Sequence, residues 1–253
     1  MDRVQELCFE GQNHLLATDY WSAEQVLTEA EQIALENQDW DSLSRLYMPL
    51  QEARRQRRQR SGEGIIKLDL VAHSELDPID PDRCIEQYPH GQLLIAGFGT
   101  IEPAVRARRR VQQQKRYVDV FLAASYWVNG QVAVVIVPTE HVSLPEAGEY
   151  SLDELLRRLP AHSLFFPLKD LPVGQCRGNA QTFARTMAWF EKLHQPFLAL
   201  ADGISSAMLR IEGYRKVIQV DYACELAHQR LSDTARQLTR QRSDQPSVGP
   251  VSA

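Results

Sequence analysis

Apolar residues recur at spacings of three and four through the first part of the chain. Leu15, Leu16, Ala23, Val26, Leu27, Ala30, Ile33 and Ala34 follow this rhythm, which is the period of a helix with one buried face. Asp19-Tyr20 interrupts the run after one helix length. A second helical face holds Trp40, Leu43, Leu46, Tyr47 and Leu50, with Pro49 inside it as a source of a kink. This stretch ends in Arg54, Arg55, Arg57, Arg58 and Arg60, and Ser61-Gly62-Glu63-Gly64 then reads as a domain boundary.

The pattern changes beyond that boundary. Ile65 to Val71 suits a strand. Asp80-Pro81 has the form of an N-cap with proline in the first turn of a short helix, which Pro89-His90-Gly91 ends. Leu93 to Ala96 is a short apolar run of buried-strand type, and Thr100 is placed to cap a helix reaching Arg116. Val118 to Ser125 and Val132 to Val137 read as two strands joined at Asn129-Gly130, a hairpin signal because both central residues of a type I′ turn need positive φ. Ser151 and Glu154 form a capping box for a helix ended by Pro160. Leu164 to Phe166 suits a further strand, and Lys169 to Gly178 reads as a loop. From Asn179 the chain is helical again, with Phe183, Met187, Phe190 and Leu193 on one face and Pro196, Gly203 and Asp221 as punctuation.

Strands alternating with helices, followed by a hairpin, predict an α/β fold. The expectation is a mixed sheet of four or five strands with covering helices, flanked by N- and C-terminal helical segments. The segments are residues 1–61 (helical), 62–168 (sheet domain), 169–240 (helical) and 241–253 (a disordered tail). The two helical ends are expected to pack together as one unit.

Composition narrows the function classes. Apolar residues make up 43% and charged residues 24% of 253, enough for a buried core. A net charge of -5 argues against general nucleic-acid binding. No apolar run approaches the ~18 residues of a membrane span, and the polar start Met1-Asp2-Arg3 does not suit a signal peptide. A cytoplasmic protein without a membrane partner is the expectation. Cys8, Cys84, Cys176 and Cys224 are scattered without a Cys-x-x-Cys pair, so each reads as a reduced, buried hydrophobe. The histidines form no metal-binding pair, and no cofactor or metal is expected.

The N-terminal segment resembles a tetratricopeptide repeat, a helix hairpin of about 34 residues with small residues where the helices touch. Gly11, Ala23, Leu27 and Ala30 have that family's spacing. His14 replaces its usual aromatic residue, and Leu35-Glu36 stands where a proline is expected. Tyr214, Val217 and Asp221-Tyr222 match the end of such a repeat more loosely. The resemblance implies binding of a peptide or partner protein in a helical groove, with His14, Tyr20, Trp21, Trp40 and Tyr47 as candidate contacts. A non-catalytic interaction or scaffold protein is therefore the leading expectation.

The alternative is a small α/β enzyme or ligand-binding domain. Gly97-Phe98-Gly99-Thr100 joins a strand to a helix, where free N–H groups can receive an anion. Gly97, Gly99, Thr100 and Arg106 are the candidate anion-binding residues. Glu102 stands where a dinucleotide fingerprint needs glycine, and no Gly-Lys-Ser/Thr follows. The arginines at 54–60 and 106–116 have few aromatics nearby, and the helix dipole accounts for part of both clusters without a partner; those at 106–116 read mainly as a solvated helix face. Cys176 beside Arg177 has the environment of an activated thiol, but no flanking motif supplies a base. No catalytic residue is assigned.

Overall fold

The computed structural model describes residues 2–244. They divide into two compact units, residues 2–56 with 197–244 and residues 57–196.

The helical unit contains α1 (Arg3–Leu16), α2 (Tyr20–Glu36), the first part of α3 (Trp40–Glu63), the end of α7 (Ala180–Asp202), α8 (Ala207–Val220) and α9 (Glu225–Ser243). Both chain ends thus share one core. Leu7, Leu27, Leu43, Leu50, Ile211 and Leu231 lie in it, all essentially inaccessible to water. Asp19 caps α2 by accepting from the Ser22 N–H. Gly11 is required on packing grounds, because a Cβ there would lie 2.5 Å from Leu27 Cγ. Helix α3 continues through Pro49, and α7 through Pro196. Pro196 was expected to punctuate the chain. A buried apolar face on either side, at Leu193 and Leu198, offsets the hydrogen bond that a mid-helix proline removes.

The second unit holds a seven-stranded sheet of order β6-β4-β3-β2-β1-β7, with β5 also paired to β3. Its strands are β1 (Ile65–Val71), β2 (Gly91–Phe98), β3 (Val118–Val128), β4 (Gln131–Ile136), β5 (Glu149–Tyr150), β6 (Leu164–Pro167) and β7 (Gln175–Arg177). Strands β1, β2 and β3 are parallel and connected through α4 (Pro81–Gln87) and α5 (Glu102–Gln113), while β4, β6 and β7 pair antiparallel. Burial on both faces is why β2 and β3 read as apolar runs rather than alternating ones. The sheet exceeds the expected four or five strands by the short β5 and β7. Neither has an apolar rhythm, and backbone pairing alone defines them. Residues 169–178 are accordingly not all loop: Gln175–Arg177 pairs with Ile65–Lys67. This pairing ties residues beyond 168 to the sheet, and the units divide at 196 rather than 168.

Several local signals act as their chemistry dictates. The Asp80 carboxylate accepts from the Asp82 and Arg83 N–H groups, and the Ser151 hydroxyl accepts from the Glu154 N–H at the start of α6 (Leu152–Arg158). Asn129 and Gly130 turn the β3–β4 hairpin at φ 49° and 74°. A Cβ at Gly130 would meet no other atom within 4 Å, so a substitution there is opposed by backbone conformation alone. Gly130→Val is expected to cost about 1–3 kcal/mol, read as a lowered urea midpoint. An unchanged midpoint would contradict the assigned turn. At the C-terminus, α9 runs to Ser243, so the first residues of the expected tail are helical. The remainder of that tail lies outside the described residues.

Candidate functional site

The Gly97–Thr100 loop stands at the carboxyl end of β2, where α/β sheets commonly bind ligands. Three of the N–H groups at this turn donate within the fold. Gly99 N–H donates to the Ser125 carbonyl, Thr100 N–H to the Gly97 carbonyl, and Glu102 N–H to the Thr100 hydroxyl. Pro103 has no N–H. Ile101, not Thr100, occupies the cap position of α5, and the helix begins at Glu102. The glycines serve close packing: a Cβ on Gly99, at φ 66°, would lie 2.6 Å from the Cα of Ala147. Arg106 points to Asp82, 4.0 Å away, and Arg110 reaches the same carboxylate. The structure therefore does not join Arg106 to the loop as an anion cradle.

Within the 54–60 cluster, Arg60 is exposed and Arg58 is turned into the interior. Arg58 is buried and its Nε lies 2.7 Å from Asp119 Oδ2, while its guanidinium stacks 3.6 Å from the centre of the Phe190 ring. Ser61 Oγ donates to the same Asp119 oxygen at 2.7 Å, and Gln92 Nε2 does so at 3.3 Å. Thr186 donates to Gln92 Oε1 at 2.7 Å. The arginines attract attention in the sequence because they are consecutive, yet they point in different directions on α3. On α5, Arg108 donates to the Val120 carbonyl and Arg109 lies 3.9 Å from Glu140.

Arg54, in the helical unit, is equally buried. It donates to Glu24 at 3.0 Å and contacts His228 Nε2 at 3.0 Å, while His228 Nδ1 lies 2.8 Å from the Cys224 carbonyl. These partners fit a neutral imidazole with its proton on Nδ1. Burial, reinforced by the Arg54 charge, pushes the His228 pKa down to about 3. An unfolded histidine takes up its proton near 6.5. Between those two values unfolding binds a proton, so the His228 contribution is intact above about pH 6.5 and is lost as pH falls towards 3. Stability should decline between pH 6.5 and 5 with a slope approaching about 1.4 kcal/mol per pH unit. Urea titrations of the protein and of His228→Gln check this. Equal slopes in the two proteins would contradict it.

Of the residues expected to contact a partner, Tyr20, Trp40 and Tyr47 are buried in the helical core. Burial and the neighbouring Glu31 carboxylate hold the Tyr47 hydroxyl well above its ordinary pKa. Periodicity marks an aromatic as lying on the apolar face of a helix and does not distinguish a core from a groove. His14 and Trp21 are half-buried, and His14 lies 3.7 Å from Asp19 and 3.8 Å from Glu10. Cys8, Cys84, Cys176 and Cys224 form no disulfide among the described residues. Cys84 and Cys224 are buried, but Cys176 is exposed on β7 rather than packed as a small hydrophobe. Among the described residues no group of three or more His, Cys, Asp or Glu could hold a metal ion. No helix among them is long and apolar enough to cross a membrane.

A concavity that the pattern did not single out lies in the helical unit. Phe197, Leu200, Ala201 and Ile204 line it from the end of α7 and the following turn, and Leu209, Glu212, Gly213 and Lys216 from α8, around a volume of about 340 Å³. Gly213 brings the two sides close, since a Cβ there would lie 2.9 Å from that of Ala201. Leu200 and Leu209 remain 65% and 61% exposed. In the sequence, Leu200 continues the stripe Phe190, Leu193, Phe197 and so reads as core. Its exposure is visible only once the fold is known. Compared with family models, curated proteins and solved structures, the chain matches none.

Proposed function

We propose that the protein is a non-catalytic interaction or scaffold protein, and that the α7–α8 groove is where a partner docks. The observation that carries this reading is the pair Leu200 and Leu209, two large apolar side chains mostly exposed on opposite walls of one concavity. Burying a leucine is worth on the order of 1.5–3 kcal/mol, so a partner that covers both gains substantially.

The lining also speaks for a macromolecule over a small ligand. Pockets for small molecules bring several polar groups to bear on one point. Here the lining is apolar except for Glu212 and Lys216. These lie one helical turn apart on α8, and such a rim suits the side chains of an amphipathic partner helix. The tetratricopeptide resemblance of the helical ends supports the same reading, because partner binding is what that resemblance implies.

Affinity capture with the whole protein tests the proposal, with Leu200→Asp/Leu209→Asp as the comparison. Both positions are exposed, so the variant should keep its fold within about 0.5 kcal/mol. The expected result is a partner retained by the wild type and lost by the variant. Capture of the same proteins by both, or none by the wild type, contradicts the proposal.

A further inference from the structure

Helix α1 carries a second apolar surface, on the side turned away from its own core. Val4, Leu7 and Gly11 are its buried positions. At 3.6 residues per turn, Phe9 and Leu16 lie two turns apart on the opposite side. They are 61% and 84% exposed. The stability of the helix does not require large apolar groups there, because the buried positions already supply its packing.

The charges around this stripe are nearly all of one sign. Glu6 and Glu10, with Arg3 beside them, are exposed along one flank of the Phe9–Leu16 line, Gln5 and Gln12 are exposed along the other, and Asp2 is exposed at the helix cap. Arg3 is shared between Glu6, at 3.8 Å, and Glu29, at 3.0 Å. Such a field repels anionic lipid headgroups and nucleic acid. It attracts cationic segments, and the two apolar side chains then offer them a place to seat.

We propose that the outer face of α1 docks a basic amphipathic helical segment of a partner protein. Apolar anchors two turns apart on that segment pack against Phe9 and Leu16, and its lysines or arginines lie along Glu6 and Glu10. This surface is separate from the α7–α8 groove.

The probe is a fluorescein-labelled amphipathic peptide of leucine and lysine, titrated with the whole protein by fluorescence anisotropy at about 50 and 150 mM salt, the latter near physiological ionic strength. A peptide of the same pattern with glutamate in place of lysine is the control. The expected result is binding of the basic peptide only. Phe9→Ser/Leu16→Ser should weaken it by about tenfold or more, the effect of losing anchor contacts worth some 1.4 kcal/mol. Glu6→Gln/Glu10→Gln should reduce its salt dependence. Serine and glutamine at these exposed positions leave the fold intact, and circular dichroism verifies that. Leu200→Ser/Leu209→Ser should bind as the wild type does.

No binding of the basic peptide overturns the inference, as does binding that Phe9→Ser/Leu16→Ser leaves unchanged, which would mean attraction by charge alone. Binding lost only on changing Leu200 and Leu209 also overturns it, while supporting the groove. A dimer of the protein alone, by sedimentation, that Phe9→Ser/Leu16→Ser dissociates would place a second copy on this face and overturn the inference as well.

Discussion

Asp119→Ala should destabilise the sheet-containing unit by about 3–5 kcal/mol, the largest effect expected of any single substitution considered. The carboxylate is 5% exposed and is the centre of a buried polar network. Its removal takes from the buried, charged Arg58 guanidinium the carboxylate oxygen that lies 2.7 Å from its Nε. Ser61 and Gln92 lose an acceptor in the same step. The pair as a whole is not expected to add comparable net stability, because burying two charges costs desolvation that their attraction only roughly repays. Arg58→Met/Asp119→Leu should therefore recover most of the loss. Urea denaturation of the single and double variants checks both statements. A loss under about 1 kcal/mol for Asp119→Ala would contradict the network.

Gly91→Ala should be the next most damaging, at about 2–4 kcal/mol. Gly91 pairs with Ile65 of β1 and with Val118 of β3, so backbone closes on it from both sides. A Cβ there would sit 1.9 Å from the Ile65 carbonyl oxygen and 2.8 Å from the Ile65 nitrogen. Neither neighbour is the end of a flexible side chain that can move away. The strands must separate at the start of the parallel ladder, or the register between them must shift. A urea midpoint unchanged from the wild type would show that the ladder does not begin as assigned.

These two residues illustrate what the pattern of the chain conveys. Gly91 is visible in the sequence as a helix stop, yet its principal constraint is the approach of two strands remote in sequence. Asp119 lies inside an apolar run and reads as an ordinary strand residue, while its partner Arg58 reads as one of a cluster of arginines near a helix end. Periodicity reports which face of an element is buried; with apolar runs and turn chemistry it located the helices of both chain ends, strands β1 to β4 and β6, and the Asn129-Gly130 turn. It carries no information on which buried polar groups meet. Strand β7 shows the same limit from another side. Gln175, Cys176 and Arg177 are all exposed, so only hydrogen bonding to β1 makes them a strand.

The functional surface was less legible than the fold for a related reason. Tyr20, Trp40 and Tyr47 look like contacts because large aromatics dominate interfaces, but they also fill cores, and here they do. Leu200 looks like a core residue and stays exposed. A helix stripe shows that an apolar face will be covered. Whether its own chain or another molecule covers it depends on where the neighbouring helices end.

Photo-crosslinking from the α7–α8 groove tests the account most directly. A photoreactive amino acid at position 209 lies on the wall of the groove, and one at position 112 lies on the exposed side of α5 as a control. The account predicts a discrete adduct with a partner protein from position 209 and none from position 112, with the position 209 adduct abolished by Leu200→Asp. No adduct from position 209, or the same adducts from both positions, would contradict it.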